Sequence, residues 1–558
     1  MSNDDPTTVE TSSESFNIEQ QPTRNESEID LQELNAFLME CAEIIRNRVD
    51  KTDYKEYILP LISYKVFHDT YHDNKTRALE KFKEQGIPPN KAEKRATSDA
   101  YHDFTIPEEW MWEDLLNQDT PARAVDDALR KLQEQNDQFS GLTGLDDYKD
   151  VEAFTKSDDN RLEALLRHLD QQNLSRYRVP PDMLGEAYMN LVKHFASEEG
   201  RDGGEFFTPP EIVELMVRLL EPYDKDTSIH DPTCGAGGML VKVAEHLKKV
   251  QKGVDEAHWR SINFTGQELN ETVRAVAEMN LAIHDVEGNV ELGDSLSEPK
   301  FTAGTSQLEQ FEYILANFPF SVSKWKSGAK TRQQQFGDLD WGDSLPHGNY
   351  GDFAFIMHMC SQLDDENGHM ATVIPHGVLF RNGDQEYRQY LIENDMVEAV
   401  IGLPENLFEG TGIPSAILVL NNNKPPEREG EVMFFNADHE DRFYRDTGSD
   451  RSVLINSIPD GQLASEVDDP DGIAEIKQRY TEWGDEERVC RVVSNEEIAE
   501  NEYNMNIALY VDTTEPQEDI SVADTLSSIQ GLESEYESLN TQLTTYMQQL
   551  NYESENDE

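Results

Sequence analysis

The sequence predicts an α/β chain: a largely parallel, doubly wound sheet wrapped by helices, preceded by a helical domain and followed by a long C-terminal helix. Three observations predict it. Between about residues 205 and 440, short apolar runs alternate with amphipathic helical stretches, the pattern of strands joined by crossover helices. Between about residues 30 and 200, apolar residues recur at helical spacing. Near the C-terminus, Ile529, Leu532, Tyr536, Leu539, Leu543, Tyr546 and Leu550 are spaced 3-4-3-4-3-4, an a/d seam.

Each element follows in order. Residues 1–28 are polar and acidic and read as a disordered tail. Residues 29–200 read as the helical domain. It contains "LNAFLMECAEIIRNRV" (34–49), "YKEYILPLISYKVFHDTY" (54–71), "IPEEWMWEDLL" (106–116), with Pro107 placed to start a helix, and "PPDMLGEAYMNLVKHFA" (180–196). Residues 201–440 hold the strands: "TSIHDP" (227–232), "INFTGQE" (262–268), "NVELGD" (289–294), "FEYILANFPF" (311–320), "MATVIPHG" (370–377), "VEAVIGLP" (397–404) and "SAILVLNNN" (415–423). Residues 441–515 read as a peripheral extension and 516–552 as the heptad helix. That narrow stripe cannot bury itself alone. It needs either a partner chain or a face of its own domain.

The 558 residues suggest roughly three structured units. Asp and Glu total 111 against 48 Lys and Arg, a net charge of −63. With 23 Phe, 20 Tyr and 6 Trp available for burial, the chain reads as globular with an acidic surface rather than as a disordered polyanion. The acid runs through the whole chain, which resembles proteins of salt-in halophilic microbes. At molar salt the Debye length falls to about 3 Å and repulsion from DNA is muted. The other reading is an acidic protein in ordinary salt. No apolar run reaches 18 residues, so no membrane span is expected. The first thirty residues lack the apolar core of a secretory signal. Cys41, Cys234, Cys360 and Cys490 are scattered, without a C-x-x-C pair. That argues against zinc and disulfides and fits a reducing cytoplasm.

Four stretches carry chemistry. "SIHDPTCGAGGML" (228–240) ends a strand at Asp231, turns through Gly235, Gly237 and Gly238, and starts a helix near Met239. Glycines there let a ligand approach the backbone. The same turn would suit a nucleotide-binding fold, although it lacks the Gly-Lys-Ser/Thr ending of a phosphate loop. Glu268 ends the next strand, where an acid meets ribose hydroxyls in a doubly wound sheet; a surface Glu is the alternative. Asp294 ends the third, placed to accept from an adenine amino group. "LANFPFS" (315–321) is the most informative. Asn317-Phe318-Pro319-Phe320 resembles the Asn-Pro-Pro-aromatic motif of amino-group methyltransferases. An exocyclic amine is a poor nucleophile because its lone pair is delocalised into the ring. An Asn oxygen and a backbone carbonyl can accept its two N–H bonds, an aromatic ring can stack on the base, and positioning supplies much of the catalysis. A buried base must leave the duplex to reach such a pocket. Cys234 and Cys360 lack the setting of an activated thiolate, and Cys234 reads as a small packing residue.

Together these stretches resemble the modification subunit of type I restriction–modification systems, often called HsdM, over roughly residues 30–550. "GGEFFTPPEIVELMV" (203–217), "DPTCGAGGML", "GQELN", "GDSL", "LANFPFS", "GDFAFIMHMCSQL" (351–363), "ATVIPHGVLFR" (371–381) and "GIPSAILVLNNNK" (412–424) stand in the family's order. The resemblance implies a Rossmann-like, S-adenosylmethionine-dependent sheet that methylates N6 of adenine in double-stranded DNA. It implies a cofactor site formed by Phe207, Thr208, Pro209, Asp231, Thr233, Gly235, Gly237, Gly238, Glu268 and Asp294, with Asp352 near the adenosine. It implies two copies assembled with one specificity subunit, a restriction subunit able to join, and heptads at the specificity subunit. No base-reading domain and no metal site are recognisable in the chain. One departure stands out. The family's usual second Pro is Phe318 here; the carbonyl survives, but the ring that fixes φ is gone. Other readings are an amino-methyltransferase with a different target, or a scaffold whose site that change has crippled.

Overall fold

In the computed structural model, the described residues are chiefly 29–46, 54–98, 104–136, 148–179, 208–250, 261–323, 351–408, 414–458, 467–512 and 532–546, with short gaps inside several of these ranges. The N-terminal part is helical. Its main helices are α1 (Leu31–Ile45), α2 (Tyr54–Glu84), α3 (Pro89–Ala96), α4 (Pro121–Gln135) and α5 (Arg161–Leu169). The Asp30 side chain caps α1 by accepting from the Glu33 amide, and Asn160 caps α5 by accepting from Glu163, each satisfying an amide the helix itself leaves open. The apolar stripes meet in one core that includes Leu38, Ile62, Phe67, Trp112, Leu129 and Leu165.

The second part is a nine-stranded sheet. Its strands are β1 (Ser228–Asp231), β2 (Asn263–Glu268), β3 (Gly288–Leu292), β4 (Tyr313–Ala316), β5 (His369–Pro375), β6 (Val397–Gly402), β7 (Ser415–Asn421), β8 (Glu431–Asn436) and β9 (Cys490–Ser494). They lie in the order β9-β8-β6-β7-β5-β4-β1-β2-β3. Strands β3, β2, β1, β4 and β5 are mutually parallel, whereas β7 runs antiparallel to both β5 and β6, and β9 antiparallel to β8. The sheet is therefore mixed. Its central strands are buried on both faces, so β7 reads "SAILVLN" with no polar alternation.

Alternate residues feed two cores. Leu315, Val373, Ile401 and Ile417 face helices α6 (Pro210–Leu220) and α7 (Gly238–Val250). Ile314, Ile374, Val400 and Leu418 face α9 (Asp352–Gln362), every residue of which is buried. Between them in sequence, α8 (Glu271–Ile283) is shared by two cores. Ala277 and Leu281 pack toward the sheet, while Ala275, Val276 and Met279 join the helical core, where the Ser63 hydroxyl meets the Met279 sulfur.

The sheet extends beyond residue 440, because β9 completes its edge and Ile473, Ile476 and Tyr480 of the helix Gly472–Glu482 pack into its core. Residues 512–558 form a separate unit. Within it the described residues from Leu532 to Tyr546 are helical, and Leu532, Tyr536, Leu539, Leu543 and Tyr546 are exposed. Ile529 and Leu550, the ends of the expected seam, lie outside the described residues, as do residues 1–28. A coiled coil is therefore not established; a single helix with an exposed stripe is. Among the described residues no helix is long and apolar enough to cross a membrane.

Candidate active site

The chain leaves β3 and crosses to the far side of β1 to form β4, so β1 and β4 are parallel neighbours from distant parts of the sequence. Such a switch point opens a crevice at the carboxyl ends of the strands. Asp231 ends β1 there and Asn317 follows the end of β4.

The glycine turn after β1 is pinned from several sides. The Thr233 amide donates to Asp231 Oδ1 at 3.0 Å, the Cys234 amide to the Gln267 carbonyl at 3.0 Å, and Asn280 Nδ2 to the Ala236 carbonyl at 2.8 Å. Gly235 and Gly237 have φ of +53° and +76°, the left-handed region that favours glycine. A Cβ on Gly237 would lie 3.3 Å from Ala277 of α8, whereas one on Gly235 would meet nothing within 4 Å. Gly235 therefore borders open space. Gly238 starts α7. The Glu268 carboxylate reaches across from β2, accepting from the Gly235 amide at 3.1 Å and the Asn270 amide at 2.8 Å. Asp294 accepts from the Leu296 amide at 2.9 Å, and the neighbouring Ser295 hydroxyl donates to the Pro232 carbonyl. Three strand ends are thus tied into one rim. Leu269, next to Glu268, is 69% exposed on that rim. Nothing in the sequence singles it out, because a Leu after a strand carries no polar signal.

Burial, reinforced by the nearby Glu268 charge, pushes the Asp231 carboxyl up to about 7 against the hydrogen bonds from Thr233. The folded chain then holds a proton that the unfolded chain, with an Asp near 3.8, has already lost. The Asp231 contribution to stability should therefore fall as pH rises from about 4 to about 7 and level off above that, opposed in the same range by His230, which burial holds down to about 3. Asp231→Asn removes this contribution. Its ligand-free melting point should rise over the parent's at pH 8 and hardly at pH 4.5. An equal gain at both pH values would refute this origin.

All four cysteines are buried. Burial pushes the Cys41 and Cys490 thiols up to about 12 and about 11, and Cys234 and Cys360 well upward. A Cβ on Gly266 would meet Cys234 Sγ at 2.8 Å, so Cys234 fills space against β2.

The loop after β4 supplies the second half. Asn317 Nδ2 donates to Thr208 Oγ1 at 2.9 Å, and Asn317 Oδ1 is buried with no hydrogen-bond partner among the described residues. Pro209 caps α6 and is buried; Phe207 lies outside the described residues. The Phe318 ring is buried, stacked on Phe355 of α9 with centroids 5.2 Å apart, and edge-on to the half-buried Phe320 at 5.9 Å. Pro319 is half-buried between them in sequence. The rigidity that a Pro ring would give is thus replaced by packing. Ser321 turns with φ +56°, and its amide donates to Asp352 Oδ1 at 2.6 Å. Asp352 Oδ2 accepts from Arg381 at 2.5 Å, and the Arg381 guanidinium lies 4.6 Å above the Tyr350 ring. The resemblance implied a place near the adenosine for Asp352; in the structure both its oxygens hold protein groups, one of them the loop itself.

A doubly wound sheet with an acidic glycine turn at its switch point, and an Asn-x-Pro-aromatic loop on the adjoining strand, defines an amino-group methyltransferase. The chain belongs to the N-6 DNA methylase family, which residues 179–519 match, and residues 34–169 match the HsdM N-terminal domain. It is 29% identical over 505 residues to the type I restriction enzyme MjaVII methylase subunit of Methanocaldococcus jannaschii, covering 88% of this chain and 80% of that one. It is 28% identical over 415 residues to the HindI methylase subunit of Haemophilus influenzae, covering 71% and 84%. The crystal structure of the type I restriction–modification methyltransferase subunit from Streptococcus thermophilus superimposes with a TM-score of 0.66 at 24% identity, covering 87% of this chain and all of that one. The family sets the reaction as S-adenosylmethionine-dependent methylation of adenine N6 in DNA, within a type I restriction–modification system. These relatives lend no support to a salt-rich source, which rests on composition alone.

Proposed function

We propose that the crevice between the glycine turn and the Asn317 loop is where S-adenosylmethionine and a flipped adenine meet. When bound, S-adenosylmethionine supplies an electrophilic methyl group on a sulfonium centre. The residues present fit it. The Glu268 carboxylate at the turn suits ribose hydroxyls and a ligand of positive charge. Glu268 holds the ribose, Asp294 the cofactor adenine and the exposed Leu269 one face of it. Gly235 gives close backbone approach, with Thr208, Pro209 and Thr233 bordering the methionine end.

Asn317 Oδ1 and the Phe318 carbonyl accept the two N–H bonds of the target amine, drawing its lone pair out of conjugation and toward the methyl group. Thr208 Oγ1 accepts from the amide nitrogen and leaves Oδ1 as the end that meets the amine. Phe320 stacks on the extruded base. The observation that carries this reading is the buried, unpartnered Asn317 Oδ1 on an amide whose other end is held, because a buried acceptor without a donor is costly unless a ligand supplies one.

The partners follow from the same reading. Two copies join one specificity subunit, which reads the DNA sequence, and a restriction subunit joins the complex. The exposed stripe of Leu532, Tyr536, Leu539 and Leu543 is offered to the specificity subunit. Base-resolution mapping of the source genome tests the activity. Methylated adenine at a split sequence should vanish in an Asn317→Ala strain; a map identical to the parent's would reject the assignment.

A further inference from the structure

We infer that the hairpin formed by the C-terminal half of α2 and by α3 is a docking surface for the phosphate backbone of duplex DNA, away from the base pocket. The inference rests on DNA being the substrate. Its ground is a local reversal of charge. The chain carries −63 overall, yet residues 75–96 hold seven Lys or Arg against three Glu. At physiological salt the Debye length is about 8 Å, so a polyanion meets the local surface and not the sum over the chain.

The surface is built rather than incidental. Ala78 and Phe82 of α2 pack on Ala92 and Ala96 of α3 in a small core of their own, which leaves Lys91, Lys94 and Arg95 of α3 and Lys83 of α2 exposed. Lys75 ties the two helices through Glu93 at 2.8 Å, occupying one of the three acids. A second stretch of chain packs against α2, its Ser175 hydroxyl donating to Asp73. The Tyr177 hydroxyl donates to Asn74 of α2 at 2.5 Å, and the Arg77 and Arg176 guanidinium groups lie 3.8 and 5.3 Å from the Tyr177 ring. From Ser63, which touches the catalytic half through Met279, to Lys83 is about 30 Å of helix at 1.5 Å per residue. The hairpin can therefore hold backbone well beyond the extruded base. Evenly spaced phosphates suit such a group of cations because they ask for charge, not for a fitted pocket.

The test uses the full chain in its native methylase assembly and a duplex carrying the mapped site. The fourfold variant Lys83→Gln, Lys91→Gln, Lys94→Gln, Arg95→Gln should bind more weakly. Its slope of log K against log[salt] should become shallower by about 0.9 for each phosphate no longer neutralised, while kcat at saturating DNA stays at the parent value. A control with Arg130→Gln and Lys131→Gln on α4 should keep the parent slope. An unchanged slope in the fourfold variant would overturn the proposal, and so would an assembly that falls apart with its slope intact, which would mark the surface as a protein interface. Methyl transfer by the parent assembly separates the two readings: if it occurs while the slope is unchanged, the hairpin inference fails alone.

Discussion

Asn317→Ala is expected to lower kcat for adenine methylation by about 10²–10³-fold, the scale of losing one preorganised hydrogen-bonding group. Cofactor affinity should change little. The two halves of the site rest on different strands: the glycine turn follows β1 and the Asn317 loop follows β4. Removing the side chain thus deletes one acceptor for the amine and leaves Asp231, Gly235 and Glu268 in place. Equilibrium binding of labelled S-adenosylmethionine and single-turnover transfer to DNA, measured on the same preparation, separate the two effects. Asn317→Asp keeps an acceptor but brings a charge, and should fall between parent and Ala. If Asn317→Ala lost cofactor affinity and rate by equal factors, the residue would belong to the cofactor site and the assignment would fail.

Phe318→Ala should destabilise the protein by about 3–5 kcal/mol, the range for deleting a buried aromatic ring. The ring is fully buried and stacked on Phe355, whose helix begins at Asp352, the residue that holds the Ser321 amide. Two attachments, one apolar and one polar, therefore fix the loop to the same helix. Phe318→Pro restores the residue usual in the family but forfeits the ring, so it too should lose stability and gain no rate. Chemical denaturation with steady-state kinetics checks both variants. A Phe318→Pro protein as stable as the parent and faster would show that packing does not substitute for the Pro ring.

Much of this architecture was legible because its signals are local. The seven apolar runs from "TSIHDP" to "SAILVLNNN" all became strands of the sheet, and Asp231, Glu268 and Asp294 each stand at or just beyond a strand end. Two strands were not legible as such. The run "EVMFFN" of β8 is short and follows a stretch rich in Pro and Glu, so it lacks the helix that set off most of the other strands. In "CRVVS" polar residues interrupt the run, because β9 is an edge strand, and it lies past the expected boundary at residue 440. The bracket around the catalytic loop was not legible either. Ser321, Asp352 and Arg381 are about thirty residues apart from one to the next, and no periodicity connects them. Nor could the sequence show that α8 serves two cores, since a helix apolar on two sides reads as one wide stripe.

The four sequestered thiols have a practical consequence. A chain whose native cysteines are all buried and hard to ionise should be silent toward maleimide reagents under native conditions. A cysteine placed at an exposed position such as Glu84 would then be the single reactive handle. One dye at that site and another on the duplex would report the approach of the helical hairpin to DNA in real time, with no need to strip the protein of its own sulfur first.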